Sequence, residues 1–200
     1  MEVIFDAYSD FIPDFDLFQE ALRSPLPAHL RINRLKGEPA EIVRSLEKTR
    51  TCLERSFAGS ETLYVARGLD SPGKLHPYFL GQIHPQALTS CLASLALSPT
   101  PGSYVLDICA APGGKTAHMA DIMGNRGLIV ANELYPDRHL SLGHTLDRLG
   151  ALNTVITGYQ AQQFPLHQRF DFILADVPCS GEGRFRKTNG KAGYKKDQGR

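Results

Sequence analysis

The stretch YVLDICAAPGGKT, residues 104–116, decides the fold. An apolar run enters a turn with two glycines and continues into a helix-forming segment, which predicts a strand, a loop and a helix. Strand and helix alternate again downstream, and the strands are near-continuous apolar runs. This order predicts a Rossmann-like α/β fold whose parallel sheet binds its ligand beyond the carboxyl ends of the strands. Strands are expected at 104–109, 127–133, 154–158 and 170–176, and helices at 114–123 and 136–149.

A small α+β module precedes this sheet. Apolar residues recur there at helical spacing or in short strand-like runs, and a segment rich in Pro and Gly separates the module from the sheet. We predict helices at 13–23 and 38–48, strands at 30–33 and 62–66, a linker at 69–81 and a further helix at 86–97. The expected domains are residues 1–80, residues 81–187 and a basic flexible tail at 188–200.

The composition is that of a globular protein with a core, since 42% of the residues are hydrophobic. The four cysteines form no CxxC pair, and the start MEVIFDAYSD is acidic, unlike a secretory or mitochondrial leader. No apolar run approaches the roughly 20 residues that cross a bilayer. We therefore expect a cytoplasmic protein without a membrane span. The seven histidines show no ligand spacing, and no metal site is expected.

The net charge of +1 conceals a basic end. Residues 184–200 hold seven Lys or Arg and one acid, whereas the preceding residues hold 15 basic and 20 acidic side chains. Such a segment either contacts nucleic-acid phosphates or remains a solvated tail, and composition leaves both open.

The last predicted strand, at 170–176, has no predicted neighbour on its outer edge. If the strand at 170–176 lies beside the strand at 104–109, its outer edge is apolar and unpaired. We therefore expect a sheet that is incomplete at its C-terminal side, because the chain is a fragment or shortened form, or else an edge that another segment covers.

The sequence GGKT at 113–116 suggests a phosphate-binding loop, but two residues argue against one. Cys109 stands where that loop needs glycine, and Pro112 lacks an amide hydrogen. Gly113 and Gly114 allow close approach to the backbone, and the helix start favours a compact anion such as a carboxylate. Lys115 then calls for an acidic partner from ligand or protein, unless it is a surface lysine.

Glu133 ends the second predicted strand, 19 residues beyond Gly114. A carboxylate at this position can accept hydrogen bonds from both hydroxyls of a ribose. The alternative role is a cap for the helix that follows. A turn for a carboxylate, with an acid for a ribose and no phosphate cradle, describes a site for S-adenosylmethionine.

Three segments resemble the cofactor-binding and Pro-Cys motifs of the Sun-type RNA (cytosine-5) methyltransferase family. They are DICAAPGGKT (107–116), ANELYPDR (131–138) and DVPCSGEG (176–183). LRINRLK and IHPQALTS resemble the small N-terminal domain and linker of that family, so the resemblance covers about residues 28–187. It implies a class I methyltransferase domain at 81–187 that uses S-adenosylmethionine, preceded by a module at 1–80 that is a candidate for RNA binding.

The resemblance also implies roles for particular residues. The turn surrounds the methionine part of the cofactor, Glu133 binds the ribose, and Asp176 lies near the reaction centre. Where family members often carry an acid for the adenine amino group, this chain has Gln160, whose carbonyl accepts a hydrogen bond without charge assistance. The implied cofactor residues are Cys109, Ala110, Ala111, Pro112, Gly113, Gly114, Lys115, Glu133, Gln160 and Asp176.

Methylation of cytosine at carbon 5 requires a thiolate that first adds to carbon 6, and an acid near ring nitrogen 3. Asp176 is a candidate for that acid. In DNA-modifying relatives the Pro-Cys thiol attacks, whereas the Sun-type family implies that Cys179 assists product release and that a second cysteine attacks. No cysteine follows Cys179, so the attacking thiol is expected outside this chain. A purely structural Cys179 is the third alternative.

The expected substrate is tRNA or rRNA, single-stranded or in a loop, because the target base must leave its stack. Arg184, Arg186 and Lys187 follow the Pro-Cys segment and are expected to contact phosphates. Two other functions stay open: a cofactor-binding or RNA-binding fragment without catalysis, and a phosphate-loop nucleotide-binding protein.

Overall fold

The structure, a computed structural model, contains two compact units. The larger unit spans residues 27–177, and the smaller one combines residues before 27 with residues from 178 onward. The described residues are 5–24, 27–49, 51–69, 71–165, 169–179, 187–188 and 191–192.

Six α-helices and ten strands are described along the chain, with four short 3-10 helices. The helices are α1 (Phe15–Arg23), α2 (Pro39–Glu47), α3 (His76–Phe79), α4 (Leu88–Leu97), α5 (Gly114–Met123) and α6 (Pro136–Leu149). The strands are β1 (Ala28–Ile32), β2 (Cys52–Arg55), β3 (Leu63–Arg67), β4 (Ile83–Pro85), β5 (Tyr104–Asp107), β6 (Leu128–Asn132), β7 (Thr154–Thr157), β8 (Phe172–Leu174), β9 (Lys187–Thr188) and β10 (Lys191–Ala192).

The smaller unit contains α1, β9 and β10. The rings of Phe15 and Phe18 pack one turn apart on α1, with centroids 5.9 Å apart. β9 and β10 pair antiparallel, and β9 also contacts α1. The tail predicted from residue 188 therefore begins inside a two-stranded ladder in the part that is described.

The parallel sheet of the larger unit has the order β7-β6-β5-β8. β5 pairs in parallel with β6 on one side and with β8 on the other, as predicted. The helices α5 and α6 form the crossovers, and α4, α5 and α6 contact one another in sequence. Their apolar side chains share one core with the sheet, which includes Val105, Ile129, Met119, Leu142 and Leu149. The predicted Rossmann-like α/β fold is confirmed.

The edge strand β8 has β5 as its one strand partner among the described residues. Ile173, in the middle of β8, is 49% exposed, although Leu174 is buried. The predicted unpaired apolar edge is therefore present in the described part of the sheet. β8 is also shorter than the predicted strand at 170–176, since only Phe172–Leu174 keep the ladder.

The second sheet of the larger unit is antiparallel, with the order β2-β3-β1-β4. Two of its strands, β2 and β4, were not predicted. β2 is the short, charged segment CLER, and β4 ends in Pro85, so neither has the pattern of a strand. Both form because β1 and β3 offer free edges for pairing. The predicted linker at 69–81 also contains the short helix α3.

A buried asparagine joins this second sheet to the parallel-sheet core. Asn33 follows β1, is fully buried, and donates from Nδ2 to Gly81 O and to Leu149 O, each at 2.8 Å. Its Oδ1 accepts from the Leu35 amide at 3.2 Å. One amide therefore satisfies a carbonyl in the last turn of α6 and a carbonyl in the loop before β4.

Arg148 forms a second connection, one residue before the end of α6. Its guanidinium donates to Tyr78 O at 2.7 Å and to Ile83 O at 3.3 Å, and it lies 4.0 Å from the centroid of the Tyr78 ring. A side chain at Gly81 would overlap the Arg148 carbonyl, since an added Cβ would lie 1.9 Å from that oxygen. The second sheet is therefore packed against α6 without space for adjustment.

In the part of the chain that the structure describes, every helix is too short or too polar to cross a membrane.

Replacing Asn33 by alanine tests the joint between the two sheets. The variant leaves the carbonyls of Gly81 and Leu149 without their donor, so we expect the free energy of unfolding to fall by about 2 to 4 kcal/mol. Urea titration followed by circular dichroism measures it. The control is Ser141→Ala, which removes an exposed hydroxyl that donates to Arg138 O and should cost about 0.5 kcal/mol or less. Equal losses in the two variants would contradict the assignment.

Candidate functional site

The turn between β5 and α5 is held by its own backbone and by β6. The Ala110 amide donates to Asn132 O at 2.8 Å, and the Gly113 amide donates to Ala110 O at 2.8 Å. The Ala111 amide donates to the Glu133 carboxylate at 3.3 Å, and Pro112 has no amide hydrogen. Three amides of the turn are thus engaged within the protein and a fourth is missing, which argues against a phosphate site.

The two glycines of the turn contact two different parts of the protein. Gly113 has φ = +99° and caps α5, and an added Cβ would lie 3.0 Å from Leu142 Cδ1. An added Cβ on Gly114 would lie 3.1 Å from His84 Nε2. Other atoms therefore do approach the backbone of both glycines closely. On these sides those atoms belong to the protein, to Leu142 at Gly113 and to His84 at Gly114.

Asp107 ends β5 beneath the turn and is almost fully buried, with 1% exposed. Thr116 donates to Asp107 Oδ2 at 2.7 Å, while Oδ1 has no partner among the described residues. Burial raises the pKa of Asp107 to about 6, against the opposing effects of the Thr116 hydrogen bond, the Lys115 charge and a hydrogen bond from the Cys109 backbone. A buried acceptor without a partner is what a cationic or hydrogen-bond-donating ligand can satisfy.

Lys115 has the acidic partner that its position at the start of α5 predicts. Its Nζ donates to Asp176 Oδ2 at 2.5 Å, and Asp176 is 56% exposed. The pair joins the turn after β5 to the segment after β8, so two predicted site residues 61 positions apart are in contact.

Glu133, directly after β6, is the most enclosed acid of the predicted set, with 3% exposed. Its Oε2 accepts from the Ala111 amide and pairs with Arg138 Nη1 at 3.0 Å, and its Oε1 accepts from the Tyr135 amide at 3.1 Å. Arg138 also donates to Ala111 O at 2.8 Å. Glu133 and Arg138 thus bind both backbone polar groups of Ala111, Glu133 its amide and Arg138 its carbonyl.

Asn132 precedes Glu133 and uses its whole amide. Its Nδ2 donates to Ile108 O at 3.1 Å and to Tyr159 O at 2.9 Å. Its Oδ1 accepts from Thr157 Oγ1 at 3.0 Å and from the Tyr159 amide at 2.9 Å. The side chain therefore fixes the ends of β5, β6 and β7 relative to one another.

Gln160 follows Tyr159, at the start of the short 3-10 helix Ala161–Gln163, and its side chain is exposed. The neighbouring Tyr159 ring packs edge-on against Phe164, with centroids 5.6 Å apart. Asn132 fixes both backbone polar groups of Tyr159, so it also determines the position of Gln160 at the carboxyl end of β7.

The cysteines of the prediction fall in different units. Cys109 is partly buried in the turn, and burial, followed by the charge of Glu133, raises the pKa of its thiol. Cys179 is exposed and belongs to the smaller unit. Arg184 and Arg186 lie outside the described residues, and Lys187 begins β9. The roles predicted for Cys179, Arg184, Arg186 and Lys187 remain predictions.

Three site residues were missed by sequence reasoning: Asp107, Asn132 and Arg138. Each had a local signal. Asp107 is an acid at the end of the first apolar strand, Asn132 is a polar residue within an apolar strand, and Arg138 lies in the first turn of the helix that follows Glu133.

Comparison with known proteins decides the family. The family model of 16S rRNA methyltransferase RsmB/F matches residues 94–198, just over half of the chain. The chain belongs to this family. The resemblance to RNA (cytosine-5) methyltransferases is thereby confirmed, and the phosphate-loop alternative loses its support.

Relatives of this RsmB/F-family chain act on different RNAs, according to their names. The human 28S rRNA (cytosine(4447)-C(5))-methyltransferase is 36% identical over 196 residues, which cover 92% of this chain and 24% of the relative. The tRNA (cytosine(49)-C(5))-methyltransferase of Pyrococcus abyssi is 36% identical over 178 residues, which cover 88% of this chain and 57% of the relative. The chain therefore spans between about a quarter and three fifths of these proteins.

A solved structure agrees with the fold of this RsmB/F-family chain. The methyltransferase homolog protein from Pyrococcus horikoshii superposes with a TM-score of 0.75 at 33% identity. The match covers 82% of this chain and 55% of that one.

Asp107→Asn tests the buried carboxyl of this RsmB/F-family chain. Between about pH 4 and pH 6 the Asp107 carboxyl stays protonated in the folded protein, whereas in the unfolded chain, where its pKa is 3.8, it has lost the proton. Asp107 therefore contributes stability below about pH 4 that is lost as the pH rises to about 6, in total on the order of 3 kcal/mol.

The measurement is urea unfolding of both proteins at a series of pH values. The stability of the unsubstituted protein relative to the variant should decline between about pH 4 and pH 6 and then stay constant. A difference that does not depend on pH would show that burial leaves the pKa of Asp107 unchanged.

Proposed function

We propose that this chain carries the catalytic core of an S-adenosylmethionine-dependent RNA methyltransferase that forms 5-methylcytosine in rRNA or tRNA. The observation that carries the proposal is the buried Glu133 carboxylate, which binds the turn after β5 from the end of β6. A nucleoside with a charged amino-acid end needs an acid and a closed turn side by side. The names of the rRNA- and tRNA-modifying relatives support the RNA class.

The residues fit S-adenosylmethionine better than a nucleotide. Asp107 Oδ1 is a buried acceptor without a partner among the described residues, suited to an ammonium or amide donor. The turn offers few free amides for phosphate, because Ala110, Ala111 and Gly113 use theirs within the protein. The sulfonium of bound S-adenosylmethionine supplies an electrophilic methyl group.

Each part of the cofactor has candidate residues in this arrangement. The turn from Cys109 to Lys115, with Asp107 beneath it, takes the methionine part. Glu133 takes the ribose hydroxyls, with Arg138 holding the carboxylate in position. Gln160 accepts a hydrogen bond from the adenine amino group through its side-chain carbonyl. This acceptor is neutral, so the contact is weaker than one to a carboxylate would be.

Asp176 and Cys179 are the proposed catalytic residues. Lys115 holds the Asp176 side chain in position, and Asp176, as the protonated acid, then donates a hydrogen bond to ring nitrogen 3 of the target cytosine while a thiolate adds to carbon 6. Carbon 5 of the resulting enamine takes the methyl group from the sulfonium, which leaves as the thioether S-adenosylhomocysteine. Loss of the carbon 5 proton and expulsion of the thiolate then restore the ring. Cys179 assists that release, and the thiol that adds to carbon 6 belongs to a separate cysteine.

The proposed substrate is a cytosine in single-stranded or loop RNA, since the base must be accessible outside its stack. Arg184, Arg186 and Lys187 are proposed to hold the phosphates beside it. Each such cation that neutralises a phosphate adds to the salt dependence of RNA binding.

Replacing Glu133 by alanine tests cofactor binding. The variant removes the acceptor proposed for the ribose and the hydrogen bond from the Ala111 amide. We therefore expect the Kd for S-adenosylmethionine to rise by about 30-fold or more. Isothermal titration calorimetry on the 200-residue chain measures it, with circular dichroism to verify folding.

The control for Glu133 is Glu54→Ala, an exposed acid that pairs with Arg67 on the antiparallel sheet. Its Kd should stay within about twofold of the unsubstituted protein. Unchanged affinity in Glu133→Ala would refute the ribose role, and binding of a nucleoside triphosphate in place of S-adenosylmethionine would refute the function.

Replacing Cys179 by alanine separates attack from assistance. RNA that contains 5-fluorocytosine traps the thiol adduct, because carbon 5 then has no proton to lose. In a protein that also carries the separate attacking cysteine, we expect the variant to form this adduct and, with ordinary RNA, to retain more adduct than the unsubstituted protein. Denaturing gel electrophoresis with labelled RNA measures both, and loss of the fluorocytosine adduct would make Cys179 the attacking thiol.

A further inference from the structure

The first residue of α5 lies against the antiparallel sheet. An added Cβ on Gly114 would lie 3.1 Å from His84 Nε2 and 3.6 Å from the side-chain amide of Gln86. Both residues belong to β4 or follow it directly, 28 or more positions before Gly114. The segment thus forms a wall on one side of the turn.

His84 is fixed in place. Its Nδ1 lies 2.9 Å from Arg148 Nη2, and because arginine is always a donor, Nδ1 accepts and Nε2 carries the hydrogen toward Gly114. Arg148 is itself anchored to two carbonyls and to the Tyr78 ring. Burial lowers the pKa of His84 to about 3, so the ring is neutral under ordinary conditions.

Gln86 is fixed in a similar way. Its Oε1 accepts from Arg31 Nε at 3.2 Å, and the fully buried Arg31 also donates to Asp121 Oδ2 at 3.4 Å. Asp121 lies two turns further along α5 and also accepts from Arg34 Nε at 3.3 Å. The antiparallel sheet and the residues that flank β1 and β4 therefore contact α5 at its start and again near its end.

We infer that His84 and Gln86 are positioning residues for the cofactor turn, and that glycine is required at 114 because His84 occupies the space that a side chain would need. The antiparallel sheet therefore sets the position of the turn in addition to any role in RNA binding. This inference rests on the proposed function, since it assigns the turn to the cofactor.

A compensating pair of substitutions tests the inference. Gly114→Ala places a methyl group about 3.1 Å from the His84 ring, which Arg148 holds in place, so we expect the Kd for S-adenosylhomocysteine to rise about tenfold or more. His84→Asn keeps an acceptor for Arg148 but removes the ring edge that faces Gly114. The double variant Gly114→Ala, His84→Asn should recover to within about threefold of His84→Asn alone.

The matched control is Gly143→Ala in α6, where an added Cβ would meet only Ile156 Cδ1, at 3.9 Å. Its affinity for S-adenosylhomocysteine should be unchanged. If the double variant binds no better than Gly114→Ala, the glycine is required by the ligand or by the turn itself, and the inference is wrong.

A second readout does not depend on any ligand. The Ala117 amide donates to Gly113 O at 2.9 Å and closes the first turn of α5. In the ligand-free protein His84→Asn should speed hydrogen exchange of this amide about fivefold or more, while amides of β6 and β7 keep their rates. Unchanged exchange at Ala117 would overturn the inference even if the cofactor assignment holds. Accelerated exchange without any cofactor binding by the unsubstituted chain would instead refute the proposed function alone.

Discussion

The site depends on one buried amide. Asn132 uses both of its donors and both acceptor positions of its oxygen, so the ends of three parallel strands have a fixed relation at the point where each chain segment leaves the sheet. Leaving one of these groups unpaired in the interior would cost about 1 to 3 kcal/mol. The turn after β5, the acid after β6 and the loop after β7 are therefore placed together as one assembly, and the sheet behind them supplies the rigidity.

The turn itself is confined from two sides by the protein. Helix α6 contacts Gly113, and the residues at β4 contact Gly114, so each glycine is explained by a different neighbour. The small antiparallel sheet is consequently part of the structure that forms the site. Its contacts with α5 and α6 include buried and partly buried polar side chains, whose geometry is more restrictive than that of an apolar interface.

The parallel sheet and its helices were predictable because strand and helix periods are local signals, and α5 and α6 match their predicted ranges. Glu133 was predictable because it ends an apolar strand, and Asp176 because the segment DVPCSGEG resembles a motif of the family. The hydrogen bonds of Asn33, Arg148 and His84 that connect the two sheets were not predictable. They link residues 48 to 116 positions apart, and such distant pairs leave no pattern in the local sequence. Strand β4 was missed for the same reason, because it exists only through pairing with β1.

Helix α6 connects the residues around Glu133 to the antiparallel sheet. Its first turn carries Arg138, which holds Glu133, and its last turn is fastened to the antiparallel sheet through Arg148 and the Leu149 carbonyl. Fourteen residues of helix form a stiff rod of about 20 Å. Arg138 and Arg148 lie on this one rigid helix, so the position of the guanidinium beside Glu133 is set relative to the residues that contact the antiparallel sheet.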